Sequence, residues 1–208
     1  MNDAAQRALS MVGRGYYWLG GGDYAPAHFF PSAPPIDEPW TRGPENTLVA
    51  GKDVCDCSAF AMWAHRLRKH RPGFNHGAWA TVSDDINTDS ITEDAMHKRE
   101  LFSLVTMPEP GDLIVYRSIW QDALGAINDE GRGTRRWIGH IGVIVDVPAG
   151  WGAGELASLG VVHCHGPQGK GPAVTRSDGS IWAHHGAMWN DDGAHPMRSA
   201  MLVRVIVA

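Results

Sequence analysis

The residues with the most chemistry to offer are one cysteine at the start of a helix and three histidines on β-branched runs. Cys57 follows Asp56 and opens CSAFAMWAHRLRKH, where Phe60, Trp63, Ala64 and Leu67 recur at i, i+3, i+4 and i+7. Unpaired amides and the positive end of the dipole at a helix start stabilise a thiolate, the nucleophilic form of sulfur. The period puts Cys57 on the face with Phe60 and Ala64, so its sulfur is expected in a cleft where that helix meets a sheet. The bland alternative is an inert buried thiol. Cys55 precedes the helix, and Cys164 alternates away from its flanking histidines and reads as core.

A cysteine nucleophile needs a base within hydrogen-bond reach, preferably an imidazole held by a third polar group. His140 opens the apolar run HIGVIVDV and shares a face with Gly142 and Ile144. The missing side chain at Gly142 is expected to leave room for the start of the Cys57 helix. His163 and His165 lie on one face of the next run, GVVHCH, and either can orient His140. The same pair could instead ligate zinc with His184, His185 or Cys57, although no Cys/His spacing of a known zinc type supports it. No cofactor is called for.

Positioning falls to elements that the sequence marks plainly. Ala5, Ala8, Leu9 and Val12 predict a first helix over 3 to 12 that ends at Gly13. Asp56 caps the Cys57 helix, Arg66, Arg68, Lys69 and His70 complement its negative end, and Pro72-Gly73 stops it. One short helix is expected around Thr92 to Leu101. LIVYR (113 to 117), HIGVIVDV (140 to 147), GVVHCH (160 to 165) and MLVRVIVA (201 to 208) read as strands of one antiparallel sheet. Helices first and strands afterwards is the α+β pattern, with N-terminal helices covering a central sheet. The 208 residues are read as one domain, 1 to 208, with long loops at 20–52, 71–107 and 118–138.

Composition narrows the function. The chain is 43% hydrophobic and 20% charged, which is globular rather than disordered. A net charge of -5 without a dominant basic cluster argues against duplex nucleic acid or an anionic membrane as partner. RGTRRW (132 to 137) is the one local basic cluster and reads first as a solvated loop. Trp18, Trp40 and Trp79 are candidates for stacking on sugars or for anchoring their own loops. Three cysteines, an odd number, fit reduced thiols better than a disulfide framework.

CDCSAF (55 to 60), PGDLIVYR (110 to 117), GHIGVIVD (139 to 146) and VVHCHG (161 to 166), in that order, resemble the NlpC-type cell-wall cysteine peptidases. YYWLGGG (16 to 22) resembles the segment that precedes the nucleophile in that family, and the likeness runs from Tyr16 to about Val174 with long insertions. Ala59 departs from the family's usual glycine, a mild change in a helix.

The resemblance implies a papain-like fold, Cys57 as nucleophile, His140 as base and His163 as the group that orients it. It places Tyr17, Asp56 and Ser58 around the substrate's free amino end, with His165 nearby. The expected substrate is a peptidoglycan stem peptide or muropeptide, cut between D-glutamate and a diamino acid. Other readings are a zinc-binding module, an inactive binder of wall fragments, and an acyltransferase or amidase. The N-terminus MNDAAQRALSMVGRG has no apolar run of signal-peptide length. The chain is therefore expected in the cytoplasm as synthesised, reaching a wall by lysis, a phage or a secretion device, with any inhibitor or delivery partner unspecified.

Overall fold

The computed structural model describes residues 2–19, 39–42, 45, 47–69, 71, 74, 85–121, 127–128, 135–137, 139–152, 155–183 and 200–206. His70, Trp79, His184 and His185 lie outside them, as does the whole stretch 20–38. In chain order the elements are α1 (Asp3–Ser10), β1 (Tyr16–Tyr17), β2 (Thr41–Arg42), β3 (Asp53–Cys55), α2 (Cys57–Ala64) and α3 (Thr88–Glu93). Then come β4 (Phe102–Leu104), β5 (Leu113–Tyr116), β6 (Ile119–Gln121), β7 (Ile127–Asn128), β8 (Arg135–Trp137) and β9 (His140–Asp146). The chain finishes with β10 (Gly160–Cys164), β11 (Val174–Asp178), α4 (Ser180–Ala183) and β12 (Met201–Val205). No helix among the described residues is long and apolar enough to cross a membrane.

The class is α+β. Six strands form one antiparallel sheet in the order β11-β10-β9-β5-β12-β4, so the last strand inserts between β5 and β4. Two three-stranded sheets flank it, β1-β3-β2 and β7-β6-β8, and the second occupies part of the stretch read as a loop over 118–138.

Strand alternation divides the core in two. Leu113, Val115, Ile141, Val143, Val162 and Cys164 face α1 and α2, where Ala5, Ala8, Phe60 and Ala64 close the layer. Ile114, Tyr116, Ile144 and Val161 point the other way, against Trp151, Leu159 and Trp182. Leucine and valine side chains buried this completely each contribute about 1.5–3 kcal/mol.

Both N-terminal helices are shorter than their sequence patterns. In α1 the Asn2 side chain accepts from the Ala4 amide, and the helix closes at Met11, two residues before Gly13. In α2 every residue is buried, and the chain leaves the helix at His65 rather than running on through the basic residues. Arg66 adopts the left-handed conformation (φ 59°) while its amide donates to Trp63 and that of Leu67 to Met62. This left-handed cap satisfies the last carbonyls, so Arg66, Arg68 and Lys69 do not sit on the helix end as expected. The third helix also starts earlier, at Thr88, with Asn87 and Ser90 capping each other. It continues as a wider turn over Asp94–Lys98, whose Asp94 carboxylate accepts from the amides of Glu100, Leu101 and Phe102.

Gly142 corrects another expectation. A Cβ there would stand 2.4 Å from Val161 Cγ1 and 3.0 Å from the Trp182 ring, so the room it leaves is filled by those side chains and not by α2. Even-numbered residues of β9 face away from α2, which packs on Ile141 and Val143. Gly142→Ala is therefore expected to destabilise the fold by about 1–3 kcal/mol through overpacking. Urea unfolding checks this, and an unchanged midpoint would show that Trp182 does not depend on the space.

Candidate active site

Cys57 is the first residue of α2. Asp56 adopts an extended conformation before it and accepts from the Ala59 amide (2.8 Å) and the Ser58 hydroxyl (2.9 Å) through Oδ1. This cap leaves the amides of the first turn facing the cysteine's end of the helix. The sulfur lies against the start of β9, close enough to the Ile141 amide for that N–H to favour the thiolate. Cys57 is nevertheless only 5% exposed, and burial pushes its thiol well above the ordinary range, with the Asp56 charge adding to the effect. The resting group is a thiol.

The reason the sulfur reaches Ile141 lies in the sheet. Among the described residues, β9 and β10 pair from Asp146 opposite Gly160 to Val143 opposite Val162, with a register shift at Gly160/Val161. On its other edge β9 stays paired with β5 as far as His140 opposite Tyr116. The strands thus part toward His140 and His163, and α2 starts beside the opening. α3 props the same end: the Asp89 carboxylate accepts from the Ser118 amide, and the Ser118 hydroxyl accepts from the Gly139 amide (3.0 Å).

In that opening His140 Nε2 and His163 Nδ1 stand 2.7 Å apart, and His163 Nε2 meets Ser177 Oγ at 3.1 Å. Two tautomer sets satisfy the chain: Nε2–H of His140 donates to His163, whose own Nε2–H donates to Ser177, or the Ser177 hydroxyl donates to His163 Nε2 and His163 Nδ1–H donates to His140. The first set leaves His140 Nδ1 as an acceptor. Trp182 stacks on His140 (centroids 5.5 Å, 17° between planes) and meets His163 edge-on. Burial holds His140 down to about 3, with His165 adding to it, and likewise pulls His163 far below the imidazole range. Burial thus favours the neutral form of both rings, and the 2.7 Å contact needs one ring to donate and the other to accept, which excludes only a pair of imidazoliums.

The remaining predicted residues divide. His165 is exposed and stacks flat on His163 (4.2 Å, 2°) without joining the hydrogen-bonded chain. Tyr17 lies beside Cys55 across the β1–β3 ladder, and its phenol is raised by burial and then by Cys57 and Asp56, which places it near both. Asp56 and Ser58 are bonded to each other, and Asp56 Oδ2 holds Lys69 Nζ at 2.5 Å in a buried ion pair. The Asp56 carboxylate, expected to receive a substrate amine, thus already holds an ammonium of its own chain.

Lys69, Ser177 and Trp182 are the contributors that sequence reasoning missed. Lys69 read as a helix-end cation, Ser177 lies in the mostly polar run VTRSD, and Trp182 sits in a one-turn helix. Only a count of buried polar partners would have pointed to the first two. Among the described residues no group of three or more His, Cys, Asp or Glu is arranged to hold a metal. The zinc reading joins His163 and His165 with His184, His185 or Cys57; both ring nitrogens of His163 are hydrogen-bonded, to His140 Nε2 and to Ser177 Oγ, and His184 and His185 lie outside the described residues. A separate open cavity of about 450 Å³ lies at the far end of α2, lined by His65, Glu109, Asp112 and Arg204 but by no Cys, Ser or Thr.

Compared with known proteins, the chain matches no family model, no curated protein and no solved structure.

Two outcomes are expected from this electrostatic arrangement. Lys69→Met strands the Asp56 charge and is expected to cost about 3–5 kcal/mol in urea unfolding; a loss under about 1 kcal/mol would mean that the pair is solvated. Burial also lowers His65, to about 4, and His140, to about 3, from an unfolded value of about 6.5. The unfolded chain therefore binds more protons in that window. The stability these groups contribute is full above pH 6.5 and lost as pH falls toward 3. Urea midpoints should drop between pH 7 and pH 4.5, whereas a flat profile would show that these imidazoles charge freely in the native state.

Proposed function

We propose that this chain is a cysteine-type peptidase or amidase with a papain-like, NlpC-type fold, acting on the stem peptides of bacterial peptidoglycan. The observation that carries the reading is the His140–His163 hydrogen bond of 2.7 Å beside a helix-start cysteine whose sulfur lies on the Ile141 amide. The substrate assignment, a stem peptide or muropeptide cut between D-glutamate and a diamino acid, rests on the four ordered motifs from CDCSAF to VVHCHG.

In this mechanism His140 Nδ1 takes the Cys57 proton as the sulfur attacks the amide carbonyl. The neutral ring is the form that accepts a proton, and burial, which holds His140 down to about 3, keeps it in that form across the working pH range while weakening it as a base. The first amides of α2 supply the donors for the oxyanion, and the charged His140 returns its proton to the leaving amine. Water activated by His140 then cleaves the thioester. His163, fixed by Ser177, keeps His140 in the tautomer that leaves Nδ1 free. The low exposure of Cys57 supports a second reading, a module that binds wall fragments without cutting them.

Digestion of purified muropeptides followed by mass spectrometry tests the proposal. Wild type should release amide-cleavage products, Cys57→Ala should release none, and His140→Ala should be about 100- to 10,000-fold slower. Wild-type binding without products would favour the binding module, and equal cleavage by Cys57→Ala would remove the nucleophile. For the active enzyme, kcat/KM should keep its full value well below pH 6.5, because burial holds His140 at about 3. An acid limb at or above 6.5 would contradict a buried neutral base.

A further inference from the structure

The three cysteines do not stand alike. Cys55 and Cys164 bring their sulfurs to 3.0 Å, and Cys164 Sγ also reaches the Cys55 carbonyl at 3.4 Å. Both residues are fully buried, and 109 positions of chain separate them. A disulfide sets its sulfurs about 2.05 Å apart, so bonding needs a shift of only about 1 Å.

We infer that Cys55 and Cys164 are a disulfide-forming pair, closed when the chain folds in an oxidising environment, which leaves Cys57 as the single free thiol. The odd cysteine count is thereby divided into one structural cross-link and one reactive sulfur. This inference stands on sulfur geometry alone and does not depend on the hydrolytic reading.

Position gives the bond a purpose. Cys55 ends β3 and leads through Asp56 directly into Cys57, while Cys164 directly follows His163 on β10. The cross-link would tie the turn that carries the nucleophile to the strand that carries His163, at the place where β9 and β10 have parted. Because it closes a loop of more than a hundred residues, it removes much freedom from the unfolded chain.

The oxidant is a small disulfide such as oxidised glutathione. One protein thiolate attacks it and expels a first glutathione thiolate, giving a mixed disulfide. The second protein thiolate then attacks the protein sulfur of that intermediate and expels the second glutathione. The two protein thiols lose two electrons and two protons, and one glutathione disulfide becomes two glutathiones. Since both sulfurs are buried and their thiols raised by that burial, exchange belongs to folding or local opening, and the finished bond is shielded from reductant.

The test refolds the full chain in oxidised glutathione, quenches with acid, alkylates with iodoacetamide under denaturing conditions and maps the peptides. A Cys55–Cys164 link with Cys57 alone alkylated is expected, along with a thermal midpoint roughly 5–15 °C above that of the reduced protein. Cys164→Ser should lose both the link and the midpoint gain. A link that includes Cys57, or three alkylated cysteines, would overturn the inference. Should the variant fail to fold, the wild-type map still decides.

Discussion

The ladder between β9 and β10 ends at Val143 and Val162, and the site depends on what happens just beyond that point. Had the strands stayed paired, Gly142 would face His163 and the Ile141 amide would be taken up by the ladder, leaving no gap for a sulfur. Because β9 remains bound to β5 while it parts from β10, His140 is held on one side and released on the other. Cys57 enters from the α2 face, and the histidines meet on the Trp182 face.

Burial then decides the charge state. A helix start offers an anion about 0.3–1 kcal/mol, rising toward 2 in partly buried sites. Removing a charged group from water shifts its pKa by several units, each about 1.4 kcal/mol. Desolvation, reinforced by the Asp56 charge, wins at Cys57 over the nearby Lys69 and the Ile141 amide. The same balance keeps His140 and His163 uncharged, which lets two imidazoles share one short hydrogen bond instead of repelling. The site is thus a set of neutral groups beside one internally paired ion pair, Asp56–Lys69. In the mechanism proposed above, reactivity would come from proton transfer to His140 as the sulfur attacks, rather than from a standing thiolate.

Local chemistry was legible in the sequence, and long-range chemistry was much less so. Asp56 before Cys57 announces a capped helix start because capping involves residues three apart, and it holds in α2. The runs at 113, 140, 160 and 201 announce strands because β-branched residues recur between breakers. The period-2 pattern also groups His140 with His163, since alternation puts both on the Trp182 side of adjacent strands. The basic run after Leu67 misled because a charge on a helix end and a charge turned inward look identical without the Arg66 reversal. Gly142 misled because a vacant position does not say which neighbour fills it, and Val161 and Trp182 come from distant segments. Ser177 depends on the β10–β11 register, which nothing in VTRSD specifies.

The most direct measurement of whether Cys57 and His140 act as one unit is the rate of iodoacetamide labelling on the native protein near pH 7. Sites are mapped by mass spectrometry, and wild type is compared with His140→Ala. The expected result is labelling of Cys57 ahead of Cys55 and Cys164, slowed at least about tenfold when His140 is absent, because the imidazole accepts the thiol proton. Labelling of Cys55 or Cys164 first, or a Cys57 rate indifferent to His140, would contradict a paired nucleophile and base.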